Sequence, residues 1–415
     1  MVQQTLKDIF SGYSKKENRV FKNKDVLTER YIPETIPHRE DNINQLAKII
    51  APAIRGDNVS NVFIYGSTGT GKSVCTKHVM TEIEKESDKI RVLFINCKMK
   101  KVSDTEYRLL AELSRILGKR VPSTGLPTDE VYKIFFEALE EQEKNVILVL
   151  DEIDALVKKV GDDILYTLTR INQDLVKTKL SIIGISNDTT FTDRLDPRVK
   201  SSLSEEEIIF QPYDAKQLQD ILFNRAKVSF VPGVVDDAVI FKCAALAAQE
   251  HGDARRALDL FRIAGELAER ENYSKVTTEL VDKAEAKLDT DRIVEIIKFQ
   301  PKQSQAVIAS IIKLVEAGEK NIQTGDVFVL YEKICHSRGL KSLTQRRVSD
   351  LVAELDMLGV INARVISKGR YGRTREIKFL LGSSLKEKVK KILKDNYLLT
   401  DGLYLDAKKK SANTF

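Results

Sequence analysis

The residues best equipped for chemistry in this chain are Gly66-Ser67-Thr68-Gly69-Thr70-Gly71-Lys72-Ser73. Glycines at this spacing let the backbone curl so that successive N–H groups converge on one point, and an ammonium and a hydroxyl follow at once. A cradle of that kind fits phosphate oxygens. In a GxxxxGK[ST] loop Lys72 would reach the β- and γ-phosphates of ATP and Ser73 would ligate Mg²⁺. The apolar run before the loop and the helical pattern after it, which opens through Val74, supply the strand-to-helix setting, and the helix adds its positive N-terminal end.

A second acidic element follows the apolar run VILVL, which ends in Asp151-Glu152-Ile153-Asp154. A carboxylate at the tip of a buried strand can hold Mg²⁺, which assigns Asp151 beside Ser73, and Glu152 is placed to polarise an attacking water. The next strand-like run, SIIGIS, ends in Asn187, which suits a water-orienting group and equally a turn former. Farther on, HGDARRA (His251–Ala257) offers a helix start carrying two arginines. Arg255 would contact the phosphates if that helix folds over them; by itself it also reads as a solvated surface arginine. Lys72, Glu152 and Asn187 form the expected catalytic set, with ATP or ADP and Mg²⁺ as the cofactors.

These groups need a scaffold, and the surrounding pattern describes one. Short apolar, β-branched runs at Asn61–Tyr65, Arg91–Asn96, Asn145–Leu150, Ser181–Ser186 and Glu207–Phe210 alternate with longer helical patterns. That alternation predicts an α/β fold with a parallel five-stranded sheet covered on both faces, over residues 31–213. From 214 to 288 the period is helical throughout, so a small helical domain follows. A third unit, 300–395, has three helical stretches (Gln303–Ala317, Thr324–Ser337, Thr344–Leu358) before two strand-like runs around a basic turn. Residues 1–30 are polar and Lys-rich and read as a loosely ordered arm; 396–415 read as a tail.

Length and charge sharpen the division. At 415 residues, two or three separate cores are expected. Residues 300–415 hold 22 Lys+Arg against 12 Asp+Glu, a balance of +10, so the rest of this +6 chain stands at −4. The positive charge therefore gathers where a polyanion would bind. No stretch has the roughly 20 apolar residues of a membrane helix, and the N-terminus has no apolar signal core, so a cytoplasmic, nucleoid-associated protein without a membrane partner is expected. Cys75, Cys97, Cys243 and Cys335 are scattered without CxxC spacing, which suggests neither a disulfide framework nor a zinc site.

Within the basic unit, Thr344 can cap a helix whose apolar positions Val348, Leu351, Val352, Leu355 and Leu358 share one face. Gln345, Arg346 and Ser349 lie on the other, as in a recognition helix of a winged helix-turn-helix. The hairpin that follows carries Lys368, Arg370, Tyr371, Arg373 and Arg375 around its tip, a composition suited to a minor groove. Double-stranded DNA is the expected partner; a winged helix that docks on protein is the alternative.

Taken in order, the phosphate loop, LVLDEID, GISN and HGDARRALD resemble Walker A, Walker B, sensor 1 and sensor 2 of AAA+ ATPases. YIPETIPHRE (Tyr31–Glu40) is similar to the N-terminal adenine-pocket box of the initiator clade, which includes the archaeal origin-recognition proteins, and RLDPRVKSSL (Arg194–Leu203) to its arginine-finger box. The resemblance covers residues 15 to 395. It implies an AAA+ core, a helical lid and a C-terminal winged helix, with Tyr31 and Ile32 in the adenine pocket. It also implies a second DNA contact from the initiator-specific insert (Ser103–Leu126) through Lys119 and Arg120. Binding at replication origins, paralogous initiators as partners and recruitment of the replicative helicase come from the resemblance alone. Many relatives continue the finger box as RVxSR; here Arg198-Val199-Lys200-Ser201 is followed by Ser202, leaving Arg194 or Arg198 as substitutes. Slow hydrolysis serving as a switch is the consequence. A nucleotide-switched transcriptional regulator and a clamp-loader-like remodelling ATPase are the competing readings.

Overall fold

The computed structural model describes residues 19–98, 105–122, 125–319, 321–367, 373–379, 383–396 and 398. Two compact units divide the chain, Met1–Ala284 and Glu285–Phe415.

Five strands organise the first unit: β1 (Val62–Tyr65), β2 (Ile90–Asn96), β3 (Asn145–Asp151), β4 (Lys179–Ser186) and β5 (Glu206–Ile209). All pair in parallel, in the order β2-β3-β4-β1-β5. β3 is buried along its whole length and β4 everywhere after Lys179, which is why both read as continuous apolar runs. The twofold alternation survives in the face each residue serves. Val62, Ile64, Ile147, Val149, Ile183 and Ile185 pack with residues of α1 (Glu40–Ile50) and α2 (Lys72–Glu86). Phe63, Val146, Leu148, Leu150 and Ile182 pack on the opposite face with α3 (Glu106–Ile116), α4 (Thr128–Glu140), α5 (Ile153–Val160) and α6 (Asp163–Arg170). A short α7 (Pro197–Leu203), capped by Asp196, leads into β5. The five expected strands are all present. The loops after β1, β3 and β4 meet at the carboxyl end of the sheet, where open parallel sheets hold ligands.

The unit continues as α8 (Ala215–Ser229), α9 (Asp237–Gln249) and α10 (Ala254–Arg270), and α11 (Thr278–Phe299) runs through the division at Ala284. A capping box opens α8: Asp214 accepts from the Gln217 N–H while the Gln217 side chain accepts from the Asp214 N–H. Asp253 caps α10 by accepting from the Arg255 and Arg256 N–H groups.

The arm expected over residues 1–30 needs correction from Arg19 onward. Val20 and Phe21 donate to Glu269 Oε1, and Lys22 donates to the Ser229 carbonyl at 2.8 Å. The Phe21 ring lies 4.7 Å from that of Phe230. It also fills the space beside Gly265, where an added Cβ would lie 2.4 Å from Phe21 Cζ. Two isolated apolar pairs, Val20-Phe21 and Val26-Leu27, anchor this strap, and all four are buried. Two residues are too few to raise a periodic signal above their polar surroundings.

The second unit contains α12 (Lys302–Glu316), β6 (Ile322–Gln323), α13 (Thr324–Ser337), α14 (Gln345–Met357), β7 (Asn362–Ser367), β8 (Arg373–Lys378) and α15 (Ser383–Asp395). Its sheet has the antiparallel order β6-β8-β7. The three expected helices surround a core that includes Ile308, Ile312, Tyr331, Val348, Val352 and Ile377. β6 and α15 were not expected: two residues are too short for a strand pattern, and the lysines of KEKVKKILKD obscure its apolar stripe. Leu358 departs from its assigned face. It is the C-cap of α14 and 40% exposed, because the helix ends at Met357.

Candidate nucleotide site and nucleic-acid interface

The phosphate loop links β1 to α2, and Gly71 is the helix N-cap without any side-chain cap. The first N–H groups of α2 are therefore left to a ligand. Gly69 has φ +69° and lies so close to Asp253 that a Cβ would sit 1.7 Å from its Oδ1. The Gly69 carbonyl accepts from the Ala254 N–H at 3.1 Å. The loop thus rests against the start of α10, the helix that also carries Arg255.

Lys72 is 4% exposed and its Nζ donates to the Gly66 and Ser67 carbonyls at 2.8 and 2.6 Å. Burial, and next the nearby Arg255 cation, lower its pKa to about 8, against opposing pulls from Asp151, Asp253 and Glu152. A buried ammonium held by neutral carbonyls is suited to an anionic ligand. Ser73 Oγ donates to Asp151 Oδ1 at 3.0 Å, which sets a hydroxyl and a carboxylate side by side as two oxygen ligands for Mg²⁺. Glu152, in the left-handed conformation at φ +56°, occupies the N-cap position of α5 without a side-chain cap and lies 3.5 Å from the Lys98 ammonium. The β4 end is braced by Ser186, whose hydroxyl meets Asp154 Oδ1 at 3.1 Å and accepts from the Asp188 N–H, and Asn187 sits between these contacts.

A cavity of about 620 Å³ joins these groups. Gly69–Val74, Asp151, Glu152, Asn187 and Arg255 line it, as do Tyr31 and Ile32. Gly66 and Ser67 take part through their carbonyls, and Thr68 lies exposed at the loop. Arg255 is half-exposed and 3.7 Å from the Glu29 carboxylate.

Three further residues shape the site and carried no usable sequence signal. Arg39, buried, donates through Nε to the Thr70 carbonyl at 2.9 Å and through a terminal nitrogen to the Gln211 carbonyl, and its guanidinium lies 3.9 Å over the Tyr213 ring. It ties the phosphate loop to the chain leaving the sheet. Asp253, which caps α10, lies against Gly69. Arg225, on α8, lies 4.7 Å over the Tyr31 ring.

The two arginines of the finger segment are engaged within the chain. Arg194 pairs with Asp188. Arg198 pairs with Asp196 at 3.1 Å and covers the Tyr166 ring at 5.0 Å.

In the second unit Thr344 caps α14 through the Arg347 N–H. Val348, Leu351, Val352 and Leu355 are buried, Gln345 and Arg346 are exposed, and Ser349 is half-buried. Arg347 is drawn back along the helix toward Asp350 and Glu354, at 3.7 and 3.8 Å. Arg375 sits on β8 opposite Val365. Lys368, Arg370, Tyr371 and the side chain of Arg373 lie outside the described residues. Of the insert residues, Lys119 pairs with Glu141 and Arg120 is exposed.

A parallel sheet with a phosphate loop on β1, an acidic β3 tip, a helical lid and a winged helix defines an AAA+ ATPase with an appended nucleic-acid-binding unit. The chain matches the family models for an AAA domain over residues 56–187, the Cdc6 AAA+ ATPase-type lid domain over 219–286 and the CDC6 C-terminal winged helix domain over 295–388. It is 54% identical over 381 residues to an ORC1-type DNA replication protein of Thermococcus kodakarensis, covering 90% of this chain and 91% of that one. A relative of the same name from Pyrococcus furiosus is 51% identical over 398 residues, covering 94% and 93%. The solved structure of the Aeropyrum pernix ORC1 protein in complex with DNA superposes with a TM-score of 0.78 at 41% identity, covering 91% of this chain and 98% of that one. The chain belongs to the ORC1/Cdc6-type family of AAA+ DNA replication initiators.

Proposed function

We propose that this protein binds ATP and Mg²⁺ in the cavity above the sheet, binds origin duplex DNA through its winged helix, and helps to recruit the replicative helicase, with slow hydrolysis as the switch. The observation that carries the reading is the joint presence, in one chain, of a buried phosphate-loop lysine beside a lid helix and an α14 whose N-terminal Gln345 and Arg346 are exposed.

In this reading Gly66–Val74 hold the phosphates, Tyr31 and Ile32 the adenine, and Arg255 reports the phosphate state from the lid. Ser73 and Asp151 hold Mg²⁺, which when bound neutralises charge on the β- and γ-phosphates. Glu152 takes the proton of the attacking water and Asn187 orients that water. Slow turnover is supported by Ser202 in the finger segment and by the carboxylate partners that hold Arg194 and Arg198 within their own chain. Gln345, Arg346 and Ser349 meet the major groove. Lys368, Arg370, Tyr371, Arg373 and Arg375 of the wing and Lys119 and Arg120 of the insert supply further DNA contacts. Paralogous initiators complete the assembly.

Salt-dependent duplex binding tests the DNA half. Arg346→Ala should weaken binding on all sequences and reduce the slope of log affinity against log salt by about 1 if the arginine meets phosphate. Unchanged affinity and slope would turn the winged helix into a protein-docking module. Genomic footprinting separates initiation from transcriptional regulation: sharp occupancy at replication start sites supports the former, scattered promoters the latter.

A further inference from the structure

Among the described residues, Arg225 differs from the other lid arginines in having no carboxylate partner. Arg262 lies 2.8 Å from both Asp259 and Glu266, and Arg256 lies 3.1 Å from Glu250. Among the described residues Arg225 has no ion pair; its guanidinium instead lies over the Tyr31 ring, and its Nη1 is buried with no hydrogen-bond partner. Burial lowers its pKa, so the fold carries this charge at a cost. A donor left this way costs free energy unless a ligand supplies the acceptor.

Its position says which ligand. On α8, Ile221, Asn224, Arg225 and Val228 recur at helical spacing along one wall of the cavity, facing the Tyr31–Ile32 segment. At the opposite functional end, Arg255 is the cation near enough to depress Lys72; Arg225 is not among the groups that act on that lysine. We infer that Arg225 reads the nucleoside part of the bound nucleotide, its planar fork backed by Tyr31 and donating to acceptors on the adenine base or ribose. Guanidinium suits this place because it stacks on an aromatic face and still presents several fixed N–H donors. The lid thereby grips the nucleotide at the nucleoside through α8 as well as at the phosphates through α10. This inference rests on the ATP reading of the cavity.

The test uses the full chain with two variants. Arg225→Met keeps an unbranched stem over Tyr31 and removes every donor; Arg225→Lys keeps the charge and loses the fork. Calorimetric titration with ATP and with ADP should show about tenfold weaker binding of both nucleotides to Arg225→Met, by equal factors, and partial recovery in Arg225→Lys. The nucleotide-free melting temperature of Arg225→Met should stay level or rise, since an unsatisfied donor has gone. Unchanged affinities in Arg225→Met overturn the inference while leaving the ATP reading intact. So does a loss confined to ATP, which would make Arg225 a γ-phosphate contact, or a nucleotide-free melting temperature that falls in step with affinity in both variants. A wild-type protein that binds neither nucleotide overturns the ATP reading itself, and the inference with it.

Discussion

Replacing Lys72 by methionine should relieve a cost that the folded, nucleotide-free protein bears, and pH makes that cost visible. The lysine falls from 10.5 to about 8 on folding, chiefly through burial. At ~1.4 kcal/mol per pH unit this corresponds to ~3 kcal/mol, with little discount for solvent because the side chain is almost wholly enclosed. The sign follows from proton counting. Between about pH 8 and 10.5 the unfolded chain keeps the Lys72 proton and the folded chain has lost it, so the Lys72 contribution to stability rises with pH. Below pH 8 the cost is felt in full. Buried thiols pull the other way: Cys75, Cys97 and Cys243 are each pushed up to about 12, so unfolding gains from their ionisation above their ordinary pKa of 9. The wild-type stability curve alone therefore mixes two trends. The difference between wild type and Lys72→Met, measured by urea unfolding without nucleotide at several pH values, isolates the lysine. Any advantage of the variant should shrink by ~3 kcal/mol as pH rises from about 8 to 10.5. A difference that stays flat with pH would refute the claim that Lys72 is held as a desolvated cation. Wild-type ATP affinity should decline over the same range as the ammonium discharges, and Lys72→Met should bind no ATP at any pH.

Two further perturbations probe the neighbourhood of that lysine. Gly69→Ala places a methyl group against Asp253 at a left-handed backbone position, so urea unfolding should show a loss of about 1–3 kcal/mol together with weaker ATP binding; unchanged values would mean that the loop and α10 part freely. Arg198→Ala should change the ATPase rate by less than about tenfold, against the 10³–10⁵ that a transferring arginine finger supplies, and a collapse of a fast, DNA-independent turnover would identify Arg198 as that finger.

What could be read from the residues alone follows the range over which each signal acts. The two central strands were the most legible because a strand buried on both faces is largely apolar, and Val146–Leu150 and Ile182–Ile185 are. Lys72 with Ser73, and Asp151 with Glu152, could be singled out because each pair sits in one short segment whose spacing fixes its local geometry. Arg39 could not be. Its partners, Thr70 and Gln211, are distant in the chain, and an arginine before a helix has no local pattern that announces a buried clasp. Arg225 escaped for the same reason, since the ring beneath it belongs to Tyr31. The strap from Arg19 to Leu27 misled in the opposite direction: its polar composition is real, and a few apolar residues suffice to dock it because Gly265 leaves room for the Phe21 ring.

That strap bears on how the proposed slow hydrolysis would act as a switch. Residues 20–22 are fixed to the lid at Ser229 and Glu269, and the same segment continues through Val26–Pro37 along the nucleotide cavity. The lid is therefore joined to the nucleotide site by covalent chain through the strap, by the Ala254–Gly69 hydrogen bond at the phosphate loop and by the Arg225–Tyr31 stack. A lid held at several points has little freedom to move in small steps; packed contacts tend to exchange between discrete arrangements. On the proposed reading, loss of the γ-phosphate changes what Lys72 and Arg255 face while the nucleoside grip stays unchanged. On that same reading, hydrolysis would reset the lid while the nucleoside stays gripped. A device of that kind needs turnover slower than the event it times, which is the regime proposed here for a finger segment whose Arg194 and Arg198 pair within their own chain.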